Sequence, residues 1–318
     1  MATIRTFLSG DDVEQVSIYN EAASGLPRFK PAALDEVRRR LRDPHFDPTT
    51  RLFALVNGRP VGYVSLSPHG RIGFPWCRKG HEACALALFE RGLAELRQRG
   101  VRTAFTAYRS DWEAVWAFFQ SQGFTKVRDM LNYGMDLVEM PTPAARTSSL
   151  ITPVFPRDIG ALLELGQGVL RLTDPEALRR YLFENVYFPP SSLFALRLRP
   201  EGPPQAVGLL VTSPAFANPQ QLDAMMPCFR LGAFGTEGLT HKRINGMFSV
   251  LAADNRDLLP FTLELLSYAH RRLEETDVAT LAAQVPSDAT HLVRFYESHF
   301  RFQGSFPVYE RSLEPVVQ

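Results

Sequence analysis

Three cysteines occur among the 318 residues, and this scarcity is the first indication of the class of protein. Cys77, Cys84 and Cys228 are too few for a disulfide framework and do not have the spacing of a metal cluster. No apolar run in the sequence approaches the roughly 20 residues that span a bilayer. Near the N-terminus, acidic residues stand where a signal peptide would be apolar. These features favour a cytoplasmic protein without a membrane segment and without a metal.

The charges nearly cancel, with 35 Lys and Arg against 34 Asp and Glu, so the formal net charge is +1. A chain without a strong positive excess has no general attraction to nucleic acid or to an anionic membrane. The arginine clusters at residues 38–40 and 271–272 fall in helical patterns, and we interpret them as solvated faces. We therefore expect a globular protein whose partners are neither nucleic acid nor membrane.

A segment near residue 52 recurs in the second half of the chain. "LFALVNGRPVGYVSLSP" begins at Leu52 and "LFALRLRPEGPPQAVGLLVTSP" begins at Leu193, which is 193 − 52 = 141 positions later. The length suits about two domains of ~150 residues each. Together these observations predict an internal duplication. A linker rich in Pro, Ser and Thr at residues 139–153 separates two predicted domains, residues 1–140 and 150–318.

The apolar spacing predicts the same order of elements in both halves, β-α-α-β-β-β-α-β-α-β. Asn57 and Gly58 supply the positive φ angles of a tight hairpin, and Gly100 ends the long helix predicted at residues 81–100. The order predicts a mixed α/β (α+β) fold, in which each half has a central mixed sheet flanked by helices. The second half carries about 31 additional residues, mostly an insertion at residues 215–242, which suits a covering loop, a cleft or an interface.

This order resembles that of the GCN5-related N-acetyltransferase superfamily. The family tends to end with a helix that runs into a Tyr-x-x-x-Gly-Phe-like stretch, and this chain has "FFQSQGF" at residues 118–124 and "FYESHFRF" at 295–302. Before its long helix the family carries an Arg-x-x-Gly-x-Gly or -Ala loop, and this chain has "PWCRKGHEA" at 75–83. The resemblance implies a tandem pair of such domains that transfers an acetyl group from acetyl-CoA to a small-molecule or peptide amine. It is also compatible with an oligomer that swaps its closing strands.

The resemblance implies a cofactor site at the loop of the first half. In the family, backbone N–H groups at the start of the long helix bind the diphosphate of acetyl-CoA. Arg78 matches the leading Arg, His81 stands at the central Gly, and Ala83 matches the last small residue, with Lys79 and Gly80 between them. An ordinary basic approach to a helix is the alternative that the residues leave open.

The corresponding loop of the second half reads "DNRDLLPF", residues 254–261. Leu259 and Phe261 occupy the positions where small residues are expected, and Pro260 has no N–H to donate. Asp254 and Asp257 would repel phosphates. We therefore expect this half not to bind CoA.

The resemblance also implies a proton donor, because family members often use a Tyr in the last helix as general acid toward the leaving thiolate. That position is Phe119 in the first half and Tyr296 in the second. Tyr296 is therefore the candidate acid if the second half is catalytic, and a packed aromatic residue otherwise. No spacing singles out a general base among the candidates His69, Glu82, Tyr108, Glu237 and His241.

Two functions remain open from the sequence. The first is an acyl-CoA-dependent N-acyltransferase, in which an amine attacks the thioester directly and positioning supplies most of the catalysis. The second is a non-catalytic tandem protein that binds a ligand or serves as a scaffold. The fold alone does not decide between them, because function depends on the site.

Overall fold

The computed structural model describes residues 2–41, 46–141, 150–170, 174–184, 189–211, 244–255, 257–273, 276 and 280–314. These residues form twelve β-strands and eight α-helices, ten elements in each half of the chain. The order is β-α-α-β-β-β-α-β-α-β in both halves, as the apolar spacing predicts.

The first ten elements are β1 (Thr3–Thr6), α1 (Asp11–Ala22), α2 (Leu34–Leu41), β2 (Arg51–Val56), β3 (Arg59–Ser65), β4 (Trp76–Cys77), α3 (Ala85–Gln98), β5 (Thr103–Ala107), α4 (Glu113–Ser121) and β6 (Thr125–Asp136). The turn between β2 and β3 has φ angles of 50° at Asn57 and 75° at Gly58, the left-handed pair that closes a two-residue hairpin. Gly100, with a φ of 75°, follows the end of α3.

The second ten elements are β7 (Leu150–Pro153), α5 (Ile159–Leu165), α6 (Pro175–Phe183), β8 (Leu193–Arg197), β9 (Ala206–Val211), β10 (Ile244–Ala252), α7 (Leu258–Leu273), β11 (Thr280–Pro286), α8 (Thr290–His299) and β12 (Arg301–Ser312). The offset between equivalent elements is 175 − 34 = 141 from α2 to α6 and 280 − 103 = 177 from β5 to β11. The difference of 36 positions is the extra length of the second half, of which 146 − 141 = 5 fall in the hairpin and 177 − 146 = 31 follow it, most of them ahead of β10.

One compact unit comprises Met1–Val127 and Pro307–Gln318. Its strands β1, β2, β3 and β4 form an antiparallel sheet in that order. Arg71, just ahead of β4, makes a parallel bridge to Phe105 in β5. On its other side, β5 pairs antiparallel with the end of β12, from Thr103 opposite Ser312 to Ala107 opposite Val308.

The other compact unit comprises Arg128–Phe306. Its sheet runs in the order β6-β11-β10-β9-β8-β7, and β10 and β11 are its parallel pair. β6 lies antiparallel to β11, from Met130 opposite Pro286 to Asp136 opposite Thr280. The positions of its strands therefore repeat those of the first unit.

The closing strands are exchanged between the halves. β6 belongs to the first half of the sequence and pairs with β11 of the second unit, whereas the end of β12 pairs with β5 of the first. The compact units therefore differ from the boundary at residues 140–150, because residues 128–140 group with the second unit and 307–318 with the first. Strand pairing, which sequence position does not encode, causes this difference. The insertion at residues 215–242 lies outside the described residues.

The two units are stabilised by different interiors. The first is rich in buried aromatic rings, which include Phe53, Trp76, Phe89, Trp112, Trp116, Phe119 and Phe124. The second contains a buried ion pair, in which Arg197 Nη2 lies 2.6 Å from Asp158 Oδ2 and the side chains are 2% and 5% exposed. Arg197 also donates to Thr152 Oγ1 and to the carbonyl of Gly202, so each nitrogen of its guanidinium has an acceptor.

The predicted mixed α/β fold class is confirmed, since the described strands form one antiparallel sheet and one sheet that contains a parallel pair, and helices occur in both halves. In the part of the chain that the structure describes, no helix combines the length and the apolar character needed to cross a membrane.

Candidate functional site

Two parallel strands of the first unit separate soon after they meet. Phe105 N–H donates to the carbonyl of Gly70, and Ile72 N–H donates to the carbonyl of Phe105, both at 2.9 Å. Beyond this point the chain that contains Gly70 and Ile72 continues into β4, which pairs with β3, and Trp76 lies opposite Tyr63. The remainder of β5 pairs only with β12. The two segments therefore diverge, and we call the region between residues 73–77 and residues 106–108 the gap.

Aromatic side chains line this gap. The ring centroids of Phe74 and Trp76 lie 4.7 Å apart, and those of Trp76 and Tyr108 lie 6.4 Å apart. Tyr108 also stacks on Trp112 at 5.7 Å. The backbone N–H of Phe74 donates to Tyr108 Oη at 2.7 Å, so the phenol bridges the two strands. The gap is therefore narrow at its apex, and Tyr108 supplies a polar atom there.

Arg78 follows β4 directly and binds carboxylates of α1. Its Nη1 lies 2.5 Å from Glu21 Oε2, and its Nη2 lies 2.8 Å from Glu14 Oε2 and 3.0 Å from Ser17 Oγ. Lys79 N–H donates to the other oxygen of Glu21 at 3.1 Å. The Arg78 hydrogen bond and the Lys79 N–H together lower the pKa of the Glu21 carboxyl. Arg78 therefore fixes the loop to α1, and its guanidinium is directed at these carboxylates rather than at a phosphate.

The sequence contains a signal for this contact that motif reading misses. Glu14, Ser17 and Glu21 have the spacing i, i+3, i+7 and so lie on one face of α1. A polar stripe of this kind, on a helix that faces an arginine, indicates hydrogen-bond and ion-pair partners of that arginine rather than a solvent-exposed surface. Their role as ligands of Arg78 was not among the sequence predictions.

Two N–H groups of the loop, those of Gly80 and Glu82, are directed at an anion. Gly80 has a φ of 82°, a left-handed conformation that glycine adopts readily, and its N–H donates to Glu82 Oε1 at 3.0 Å. The N–H groups of Glu82 itself and of Gly80 lower the pKa of the Glu82 carboxyl. Glu82 opens the short 3-10 turn Glu82–Cys84 that leads into α3, where the helix dipole also favours negative charge. The loop therefore holds an anion, and that anion is its own side chain.

The remaining predicted cofactor residues surround this carboxylate. Lys79 and Ala83 are exposed and His81 is half-buried. The N–H of His81 donates to the carbonyl of Arg78 at 2.9 Å, which closes the loop into a turn. The structure thus brings Lys79, Gly80, His81 and Ala83 together at one helix start, with Arg78 directed away toward α1.

Cys77 is adjacent to the loop and is buried. Burial raises the pKa of the Cys77 thiol to about 12. At neutral pH the group is a thiol rather than a nucleophilic thiolate, so its contribution is to packing.

The second unit has a similar divergence of parallel strands but a different loop. β10 pairs with β11 from Ile244 to Met247, and its later residues pair only with β9. In the loop that follows, Asn255 Oδ1 accepts from the N–H of Asp257 at 2.9 Å. Leu259 is 48% exposed, whereas Phe261 is buried. The acids, Pro260 and the bulky side chains occupy the start of α7, and we still expect no CoA site here.

Tyr296 is fully enclosed in the second unit, with 1% of its surface exposed. Its ring stacks on Tyr133 of β6 with centroids 5.6 Å apart and an interplanar angle of 19°. Phe119, its equivalent in the first unit, is equally buried. Tyr296 therefore packs beneath the exchanged strand, as the structural alternative expects.

The candidate general bases are scattered. His69 lies in the turn that ends at Gly70, and its N–H donates to Ser67 Oγ at 3.2 Å. Glu82 caps the loop and Tyr108 bridges the gap. Glu237 and His241 lie outside the described residues. Among the described residues, no group of three or more His, Cys, Asp or Glu side chains is placed to hold a metal.

Solved acetyltransferase structures share this architecture along the whole chain. A GCN5-related N-acetyltransferase from Sphaerobacter thermophilus aligns over 100% of this chain and 97% of its own, with a TM-score of 0.62 and 14% identity. A tandem GNAT protein from the clavulanic acid biosynthesis pathway aligns over 99% of both chains, with a TM-score of 0.57 and 14% identity. A putative acetyltransferase from Pyrococcus horikoshii aligns over 98% of this chain and 89% of its own, at 0.54 and 15%.

Comparisons by sequence alone give no match, either to a family model or to a curated protein. The likeness therefore resides in the order and pairing of the elements rather than in shared residues.

Proposed function

We propose, from the premise that this chain has the fold of the GCN5-related N-acetyltransferases, that it transfers an acyl group from acyl-CoA to an amine. The acceptor is a small molecule or a peptide, as in the function that the sequence resemblance implies. The donor binds in the first half, at the loop of residues 78–83.

The observation that carries this proposal is the carboxylate held by the loop. The N–H groups of Gly80 and of Glu82 itself bind the Glu82 carboxylate, so these amides have a geometry that suits an anion. Glu82 is exposed and can rotate away when a diphosphate arrives. Lys79 then adds positive charge at the rim, while Arg78 fixes the loop to α1.

The reaction requires little from the protein beyond the positioning of the two substrates. The donor brings the reactive thioester, and the residues of the chain orient it next to the gap between the diverging strands. A free amine can attack without a covalent intermediate on the protein, so alignment supplies most of the rate. The scattered positions of the candidate bases suit a reaction in which water carries the proton from the amine.

One observation favours the alternative, a non-catalytic binding protein. The gap of the first unit is lined by Phe74, Trp76 and Tyr108, and Phe119 has no proton to donate. A non-catalytic protein with the acetyltransferase fold would tolerate aromatic side chains that fill the gap. Release of free thiol from acetyl-CoA in the presence of an amine supports the transferase, and binding without release supports the alternative.

Calorimetric titration with acetyl-CoA tests the proposed site. Lys79→Glu should weaken binding by roughly three- to tenfold, the scale of an exposed charge contact that becomes a repulsion. Lys126→Glu makes the same charge change at an exposed position after α4 and serves as the control. Equal effects of the two substitutions, or no binding by the wild type, would contradict the assignment.

We expect Arg78→Glu to affect the protein differently from the simple loss of CoA affinity that its motif position implies. The sequence resemblance implies a loss of on the order of 1–3 kcal/mol of CoA binding from a lost charge contact. In the structure, the same change would place a third carboxylate beside Glu14 and Glu21. We therefore expect it to release the loop from α1, and Lys79 is the cleaner position for the test.

A further inference from the structure

Tyr108 places a hydroxyl at the apex of the gap in the first unit. It directly follows β5, and its Oη accepts the N–H of Phe74 at 2.7 Å. The neighbouring N–H, of Gly73, is already paired with the carbonyl of Ser65 in β3 at 2.7 Å. Because successive N–H groups of a strand point in opposite directions, the Phe74 N–H faces the gap, and the phenol meets it there.

Packing fixes the plane of the phenol. The ring stacks on Trp112 with centroids 5.7 Å apart at 28° and on Phe119 with centroids 5.9 Å apart at 27°. Trp116 contacts it edge-on at 6.2 Å. Phe119 occupies the family's proton-donor position, and here its ring supports Tyr108 instead.

The hydrogen bond leaves the phenol able to donate. Oη uses a lone pair to accept from Phe74, so its own proton is available to a group that enters the gap. The Phe74 N–H would also steady the negative charge left on the oxygen after the proton has moved. Tyr108 is half-buried, so part of the residue is exposed to solvent.

We propose that Tyr108 is the general acid of the first unit. The inference rests on the proposed function. The amine nitrogen forms a bond to the thioester carbonyl carbon, the carbon–sulfur bond breaks, and the sulfur takes the Tyr108 proton. Water accepts the proton lost by the amine and restores the phenol, so atoms and charge balance.

The repeat supports this assignment to the first unit. The position equivalent to Tyr108 is 108 + 177 = 285, and Val285 has no hydroxyl. The second half keeps a phenol in its last helix, Tyr296, but only 1% of that residue is exposed. The first unit therefore combines the anion-holding loop with an accessible phenol, supplied by a strand rather than by a helix.

A binding measurement tests the contact without an acceptor. CoA and desulfo-CoA differ only by the sulfur, and calorimetry gives the affinity of each for the wild type and for Tyr108→Phe. We expect the wild type to favour CoA by about threefold or more, the scale of one hydrogen bond, and Tyr108→Phe to lose that preference. The control is Tyr309→Phe, which removes the hydroxyl that accepts from Gln120 in the same aromatic cluster.

The outcomes separate this inference from the proposed function. If both ligands bind the wild type equally, or if Tyr108→Phe keeps the preference, Tyr108 does not contact the sulfur. If neither ligand binds the wild type, the proposed function itself is wrong. A melting temperature of Tyr108→Phe within about 4 °C of the wild type shows that the ring still packs.

Acetyl transfer from acetyl-CoA to hydroxylamine, measured as the release of free CoA thiol, tests the proton transfer itself. Tyr108→Phe should lower kcat by about a hundredfold, with the affinity for acetyl-CoA changed by less than about threefold. A purely structural role would not separate these two quantities. An unchanged kcat would overturn the role as acid, and no thiol release by the wild type would contradict the proposed function.

Discussion

Glu82 is an acidic residue in the loop whose backbone N–H groups we propose to bind the diphosphate of acyl-CoA. Its carboxylate accepts from the N–H of Gly80, and it opens the 3-10 turn that leads into α3, where an incoming phosphate would find the same partners. A carboxylate that lies on the protein costs no association entropy, so it competes with any ligand for this position. Glu14 and Glu21 do not compete in the same way, because Arg78 neutralises them.

Replacement of Glu82 therefore tests the anion site at the scale of a single residue. Glu82→Gln removes the internal charge, and we expect acetyl-CoA to bind about two- to fivefold more tightly. Glu90→Gln makes the same change at an exposed position further along α3 and should alter the affinity by less than about twofold. Calorimetry measures both variants, and weaker binding by Glu82→Gln would mean that the loop holds no phosphate.

At the scale of the elements, the hairpin between β2 and β3 depends on its turn. Gly58 has a φ of 75°, and a Cβ at this position would meet no atom within 4 Å, so strain alone decides the effect of a side chain there. Gly58→Ala should cost about 1 kcal/mol of unfolding free energy. Gly25→Ala, where the backbone is not left-handed and space is open, should change stability by less than about 0.5 kcal/mol.

Tryptophan fluorescence during urea unfolding measures this effect. The three tryptophans of the chain, Trp76, Trp112 and Trp116, all lie in the first unit and report on it selectively. A shift of the urea midpoint that is equal for Gly58→Ala and Gly25→Ala would show that the turn is not left-handed in solution.

The elements also show which features local sequence encodes. The Asn57-Gly58 turn, the stop of α3 before Gly100 and the order of elements follow from φ preferences and apolar spacing, which act within a few residues. The neighbours of β6 and β12 depend on residues more than 140 positions away, and nothing in their alternation specifies a partner. The ion pairs of Arg78 likewise join residues 57 and 64 positions apart, so a motif alone does not reveal them.

At the scale of the whole molecule, each half lacks a strand of its own unit. β5 has the end of β12 as its antiparallel partner, from Val308 to Ser312. A chain cut after residue 140 would leave the β5 edge unpaired and would carry β6 without β11, which it pairs with from Met130 to Asp136. The exchange therefore makes the two halves dependent on each other for folding.

Fragments test this dependence. Residues 1–140 alone should remain unfolded or aggregate, with the tryptophan emission of exposed indoles, because an unpaired edge strand and its core are uncovered. Residues 1–127 joined by a flexible linker to residues 307–318 should recover a cooperative transition. A cooperative transition in the 1–140 fragment would contradict the exchange.

Hydrogen exchange with and without acetyl-CoA tests the central claim most directly, because it reports on both loops of one molecule. The proposal predicts that acetyl-CoA slows exchange of the backbone N–H groups at residues 79–88, the loop and first turn of α3, and leaves residues 253–262 unchanged. Protection at residues 253–262 with none at 79–88 would contradict it and place the donor in the second unit.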